Sequence, residues 1–463
     1  MSDFSNNVKE NIKRLETSLN VERNFDILQR EVIIAGRKAG FFFIDMAEKL
    51  MQFFYSLKES DITSLDIFLE KGMPYTEVTR SGNVDYVITQ FLSGVSIMTI
   101  DGFDECLLID CRTYPMRSVS EPWKDRVLRG SRDGFVETLV SNAALLRRRI
   151  RDPRFSMELY GVGRRSRSDV AICYISDSVD QSVLNRMRKL IQSIDVDALT
   201  MNIESLAECM FTHKWINPFP KFKYSERPDT ATAAILDGNI VIMVDNSPAV
   251  MIIPASIFDI IEEADDFNFS PMIGSYLRIT RFFFSIVTWI LTPLWLLFVN
   301  NPDWVPEFMK FVLITDDITV PVLLQLLILE LAVDGLKLAA VNTPTMLSTP
   351  LSIVAGIVVG EYAVSSGWFN PEALLYMAVV TVGTYGQTNF EMGYAFKFLR
   401  VLTLILTQIF NLGGFIAGVV ISVLMIAFNR TITGKSYIYP LIPWDGKMLK
   451  RKVLRVRLPH SYK

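Results

Sequence analysis

Three charged residues interrupt an otherwise apolar stretch over residues 318–341: Glu330, Asp334 and Lys337. Their spacing of four and then three positions places all three on one face of a helix. In lipid each charge would cost at least ~2.5–3.5 kcal/mol, so the stripe must face protein or water. Two uses fit it. Carboxylates along an ion path would attract cations, whereas an interhelical salt-bridge cluster would fix an assembly. The next apolar segment, 351–363, carries Ser352, Gly356 and Gly360 at every fourth position and Glu361 near its end. Small residues at that spacing let helices pack closely, or line a narrow lumen where several copies form a ring.

Other chemistries find few residues to carry them. The only histidines are His213 and His460, and the four cysteines, Cys106, Cys111, Cys173 and Cys209, form no CxxC pair. No metal site is expected, and Cys106, inside a strand-like run, reads as a buried thiol. There is no P-loop and no GxSxG elbow, and Gly161-Val162-Gly163 lacks the third glycine of a dinucleotide fingerprint. The expectation is therefore a non-enzyme without cofactors. Two basic runs remain, Arg147-Arg148-Arg149-Ile150-Arg151 and Arg164-Arg165. They read as solvated faces that pair with carboxylates of a neighbouring subunit, or as an anion or lipid-headgroup site. With a net charge of −3 over 463 residues, nucleic acid is not an expected partner.

Half of the chain is apolar and mean hydropathy is +0.27, which excludes intrinsic disorder. Charges are spread through residues 1 to about 270 and are sparse over the following 160. The fold class expected is an α/β cytosolic head of two related modules followed by an all-α polytopic membrane domain. The first module, with a helical lead-in, is placed at 1–112 and the second at 113–270. The membrane domain is placed at 271–430 and a basic cytosolic tail at 431–463.

Two segments of the head share a template. Gly94, a strand, Asp101 in a turn and a second strand recur as Gly238, a strand, Asp245 in a turn and a second strand. Each follows a helical stretch, 84–92 and 230–236. A helix is read over 136–150 and another over 46–57, and a hairpin around residues 36–40. In the membrane half, residues 282–299 form the clearest span, entered through Arg278 and Arg281 and followed by an acidic loop with Asp303, Glu307, Asp316 and Asp317. Residues 374–382 are short for a crossing, and the polar run 383–389 needs cover by protein or water at membrane depth. The stretch 399–428 exceeds one span and is divided at Asn411-Leu412-Gly413-Gly414. The basic tail joins the head on the cytoplasmic side, which requires an even number of crossings; four complete spans plus short inserted segments are expected.

The runs Arg129-Gly130-Ser131-Arg132-Asp133-Gly134-Phe135, Arg227-Pro228-Asp229 and Tyr439-Pro440-Leu441-Ile442-Pro443 give the chain a family likeness. Over residues 75–445 it resembles the spore germination proteins of the germinant receptor A-subunit (GerA) family. Within that family, Ile150-Arg151-Asp152-Pro153 and Gly163-Arg164-Arg165-Ser166 look like a branch encoded with dipicolinate-transport proteins rather than with nutrient receptors. Lys337 departs from the arginine usual in receptor subunits. The resemblance implies a protein of the spore inner membrane that forms a homo-oligomer, a pentamer, and conducts cations during germination. It also implies a small membrane partner protein and germinant receptor subunits as partners. A non-conducting scaffold of the receptor assembly is the alternative.

Overall fold

The computed structural model describes residues 3–34, 36–44, 64–66, 68, 78–92, 94–109, 121–122, 125–211, 217–342 and 356–456. The helix read over 46–57, together with Cys111, His213 and His460, lies outside them. Contacts divide the chain into two units, one of residues 1–212 and 222–254 and the other of 213–221 and 255–463.

The first unit holds two five-stranded antiparallel sheets. Helix α1 (Val8–Leu19) precedes strands β1 (Leu28–Ile34), β2 (Arg37–Phe43) and β3 (Val78–Ser81), then α2 (Val84–Leu92), β4 (Ser96–Ile100) and β5 (Cys106–Ile109). Helix α3 (Leu139–Arg149) opens the second set, followed by β6 (Phe155–Val162), β7 (Ser168–Ile175), α4 (Gln181–Gln192), α5 (Ile203–Met210) and β8 (Lys223–Ser225). It closes with α6 (Pro228–Leu236), β9 (Ile240–Val244) and β10 (Val250–Ile253). Strand order is β1-β2-β4-β5-β3 in one sheet and β6-β7-β9-β10-β8 in the other, which is the same topology. The central hairpin strands β4, β5, β9 and β10 are buried on both faces, so they read as continuous apolar runs.

The likeness extends to single hydrogen bonds. Asp101 accepts from the Val8 backbone N–H at the start of α1, and Asp245 accepts from Leu139 at the start of α3. Each carboxylate satisfies a donor that the helix itself leaves orphaned. Asn11 bonds both backbone groups of Ser5, and Asn142 bonds both of Val136. That second pair holds Val136 outside the helix, so α3 begins at Leu139 rather than at 136. Gly94 and Gly238 end α2 and α6 with φ of 98° and 88°, a region that favours glycine.

One buried pair joins the two sets. Arg147 of α3 is 2% exposed, and its Nε lies 3.0 Å from Asp26 Oδ2. Its Nη1 donates to the Phe155 carbonyl, and Asn24 Oδ1 accepts from the Met157 backbone at the edge of the second sheet. Removing one partner of a buried pair costs about 3–5 kcal/mol, while replacing both with apolar groups costs little. Arg147→Met should therefore lower the stability of the full chain by about that amount, and Arg147→Met combined with Asp26→Leu should recover most of it. Thermal unfolding of the detergent-solubilised protein checks both.

In the second unit α7 (Ile257–Ile261) and a one-turn helix at Asp265–Asn268 lead into α8 (Pro271–Asn300). Helices α9 (Val322–Asn342), α10 (Pro371–Tyr385), α11 (Phe390–Ala427) and α12 (Gly446–Val453) follow, with a π-helical turn at Gly356–Tyr362. Among the described residues two helices are long and apolar enough to cross a membrane: α8, with mean hydropathy 2.1, and α11, with 2.3. Asn411 breaks α11, with φ 52° and ψ −130°. The two limbs fold back on each other, because a Cβ at Gly414 would strike the Leu406 carbonyl and one at Gly418 would strike Thr403. At the tip, Asn411 and Asn301 exchange two amide hydrogen bonds of 2.9 and 2.6 Å, so the hairpin turns beside the end of α8. Helices α9 and α10 run parallel: Gln325 bonds Asn370 at their starts, and Lys337 lies over the Tyr385 ring at their ends.

Candidate functional site

The stripe Glu330–Asp334–Lys337 of α9 faces α11. Glu330 is 5% exposed, and its Oε1 accepts from Arg400 Nε at 2.5 Å. Arg400, 2% exposed, also donates through Nη1 to the Thr288 carbonyl of α8. Lys397 bridges the two carboxylates: its ammonium pairs with Asp334, lies 3.5 Å from Glu330 Oε2, and donates to the Glu330 carbonyl at 3.1 Å. One guanidinium thus links α8, α9 and α11, and one ammonium closes the gap between successive turns of α9. Lys337 takes a different environment, 5.1 Å from the Tyr385 ring centre and 5.5 Å from that of Tyr394. Aromatic faces attract such a cation electrostatically.

A cavity of about 60 Å³ adjoins these groups and is lined also by Thr381, Thr384 and Gln387. Part of the polar run after residue 382 therefore lies against the charge cluster, through Thr384, Tyr385 and Gln387, while Tyr385 and Gly386 remain exposed. The five ionisable groups sum to one positive charge: three cations against two carboxylates. Such a set links the helices and presents no excess negative charge to a cation.

Glu361 stands apart from the cluster. It is exposed on the π-helical turn, beside Gly360, and does not line the cavity. At Gly356 and Gly360 an added Cβ would meet nothing within 4 Å among the described residues, so neither glycine makes a close contact with them. Ser352 lies outside the described residues.

The basic runs have partners within the chain. Arg147 is buried against Asp26, which corrects the expectation that it serves a subunit-facing surface: its guanidinium is already spent on joining two sheets. Arg149 pairs with Asp133 at 2.6 Å, Arg164 with Asp195 at 2.5 Å, and Arg165 with Asp197 at 3.9 Å. Arg148 and Arg151 are exposed. Among the described residues no cluster of ligands suited to a metal ion occurs.

Sequence reasoning missed Lys397, which lies just before the apolar stretch read at 399–428, and Arg400, which was absorbed into that stretch as its second residue. The signal was present: two cations three apart, immediately before a long apolar run, can answer two carboxylates four apart on another helix.

A model of the Bacillus/Clostridium GerA spore germination protein family matches residues 13–463. The chain belongs to the GerA spore germination family. It is 36% identical over 402 residues to stage V sporulation protein AF of Bacillus subtilis (strain 168), covering 87% of this chain and 81% of that protein. It is 26% identical over 446 residues to spore germination protein GerLA of Bacillus cereus, covering 93% and 90%. The crystal structure of the N-terminal domain of the A subunit of the Bacillus megaterium germinant receptor GerK3 aligns at 22% identity with a TM-score of 0.39, over 54% of this chain and 96% of that one.

The unequal burial of the two carboxylates separates their variants. Glu330→Ala leaves Arg400 unpaired in an apolar setting and should cost about 3–5 kcal/mol, lowering the amount of folded protein recovered from membranes. The Asp334 side chain is 23% exposed and Lys397 retains Glu330, so Asp334→Asn should cost about 1 kcal/mol or less. Melting temperatures of both purified variants check the order.

Proposed function

We propose that this member of the family is a polytopic protein of the spore inner membrane. Copies assemble as a ring, a pentamer, and the ring conducts cations during germination. In this reading the α9–α11 charge network is the clamp that positions the helices. The path is lined by the face of the Gly356–Tyr362 segment, which carries Gly356, Gly360 and Glu361.

The observation that carries the assignment is the contrast between the carboxylates. Glu330 and Asp334 are each engaged by cations of their own chain, whereas Glu361 is exposed and has no ion pair among the described residues. A ring of exposed carboxylates beside glycines that leave open space suits a cation path. The crossings are α8, α9, the segment around Gly356–Tyr362, α10 and the two limbs of α11. Their even number leaves the head and the tail on one side. Arg278 and Arg281 at the entry to α8, with the basic tail, support the reading that this side is cytoplasmic. The exposed apolar side chains Ile409, Phe410, Ile416 and Val423 on the α11 hairpin supply surface for lipid or for sister copies. A small membrane protein and germinant receptor subunits complete the assembly.

A second reading has its own support. Charges neutralised inside one chain also suit a non-conducting scaffold that orders receptor subunits. Planar-bilayer recording of the purified protein separates the two: conduction predicts cation current that falls severalfold in Glu361→Gln at unchanged protein level. A scaffold predicts no current from the native protein, with receptor clusters dispersed when the gene is deleted.

A further inference from the structure

Between the α11 hairpin and α12 the chain displays a short apolar run at its surface. Leu441, Ile442 and Trp444 are 40%, 56% and 72% exposed, and Pro443 between them is exposed as well. The run is held in one shape. The Leu441 N–H donates to the Ile438 carbonyl at 2.8 Å and the Asp445 N–H to the Pro440 carbonyl at 3.0 Å, while the Asp445 carboxylate caps α12 through Met448 N.

Helix α12 is itself fixed on its other side. Lys452 pairs with Asp259 and lies 3.7 Å from Glu262, and Arg278 donates to the carbonyls of Arg451 and Lys452 at 3.1 and 3.0 Å. Burial acts to raise the Asp259 carboxyl, but Lys452 and Ser256 outweigh it and hold the group below its ordinary value. The Arg455 N–H donates to Ser275 Oγ in the first turns of α8, where Met272 and Tyr276 are 86% and 68% exposed. Lys452 is thus occupied, whereas Lys447 and Lys450 are exposed and have no carboxylate within 4 Å among the described residues.

We propose that Leu441–Trp444, with Lys447 and Lys450, is an interfacial anchor that inserts into a bilayer leaflet of anionic headgroups. Three observations select this occupant. The apolar wedge is flanked by unspent positive charge, which complements anionic lipid. Tryptophan beside a membrane end favours the headgroup level, where one edge of the ring is apolar and the other wet. Four residues also fall far short of the roughly 800 Å² per partner of a stable protein interface. Because the wedge is already rigid, insertion spends little ordering entropy.

The inference rests on the membrane reading above, but not on conduction. The test uses the full chain in phosphatidylcholine vesicles with or without phosphatidylglycerol, containing lipid brominated at a shallow acyl position. Of the seven tryptophans, Trp444 should supply about a seventh of the emission; that share should be quenched by bromine, shielded from aqueous acrylamide, and absent in Trp444→Phe. In Lys447→Gln with Lys450→Gln the bromine quenching of this share in phosphatidylglycerol vesicles should fall severalfold, to the level seen without that lipid. Quenching of Trp444 by acrylamide but not bromine would overturn the anchor, as would shielding from both, which marks a protein partner. Failure of the chain to float with the vesicles would overturn the membrane reading as well.

Discussion

A charge in a low-dielectric interior has to be answered by another charge, and the helical unit is arranged around that requirement. Glu330 cannot be buried on α9 unless a cation reaches it, and the cation comes from α11 as Arg400. Arg400 in turn has donors to spare, and one of them takes the Thr288 carbonyl of α8. Three helices are thereby fixed in rotation and in height by a single guanidinium, whose planar fork suits several acceptors at once. Lys397, a point charge on a flexible stem, does the complementary work of sitting between two carboxylates one turn apart. Apolar packing alone would leave the helices freer to slide, because lipid and leucine are nearly equivalent neighbours.

In the sheet-bearing unit the same economy appears at helix starts. Asp101 and Asp245 each sit in the turn between two buried strands and each take an orphaned N–H of a helix that begins far away in sequence. A turn aspartate therefore serves as tertiary glue, and its recurrence with Asn11 and Asn142 makes the two sheet sets copies of one design. Arg227 extends the theme. It binds both oxygens of Asp229 and the carbonyls of Asp125 and Ser131, so the two basic-acidic runs that mark the family in sequence are in contact in space.

Much of this was legible in the sequence where a periodicity or a turn signal spoke alone. Helix α2, both Gly–strand–Asp–strand hairpins and the break at Asn411 fall where the pattern puts them. The pair β6–β7, with α4 and α5, was not read, because Gly163 in its five-residue turn was weighed as part of a dinucleotide fingerprint and the following arginines as a basic patch. Boundaries shifted wherever a side chain outbid the helix for a backbone group, as Asn142 does at Val136. The partners of Glu330 and Asp334 were hidden for a different reason: they lie more than sixty positions away, and no local rule links residues so distant. Burial was hidden as well, since Arg147, in a run of three arginines, looks the same in sequence whether it meets solvent or Asp26.

The arrangement also separates two tasks that a charged transmembrane stripe is often asked to combine. Carboxylates that hold helices together must stay paired, and paired carboxylates have little field left for a passing ion. A path that uses exposed carboxylates can then leave the clamp undisturbed. Within the cavity Lys337 tips the balance to one excess positive charge, which further disfavours a cation entering beside α9. Its ammonium is held by the rings of Tyr385 and Tyr394 rather than by a carboxylate, so Asp334 is left to Lys397 alone. In the proposed reading the charge cluster and the ion path are therefore different places, and the sequence stripe that first suggests conduction is the part whose geometry argues most strongly for holding still.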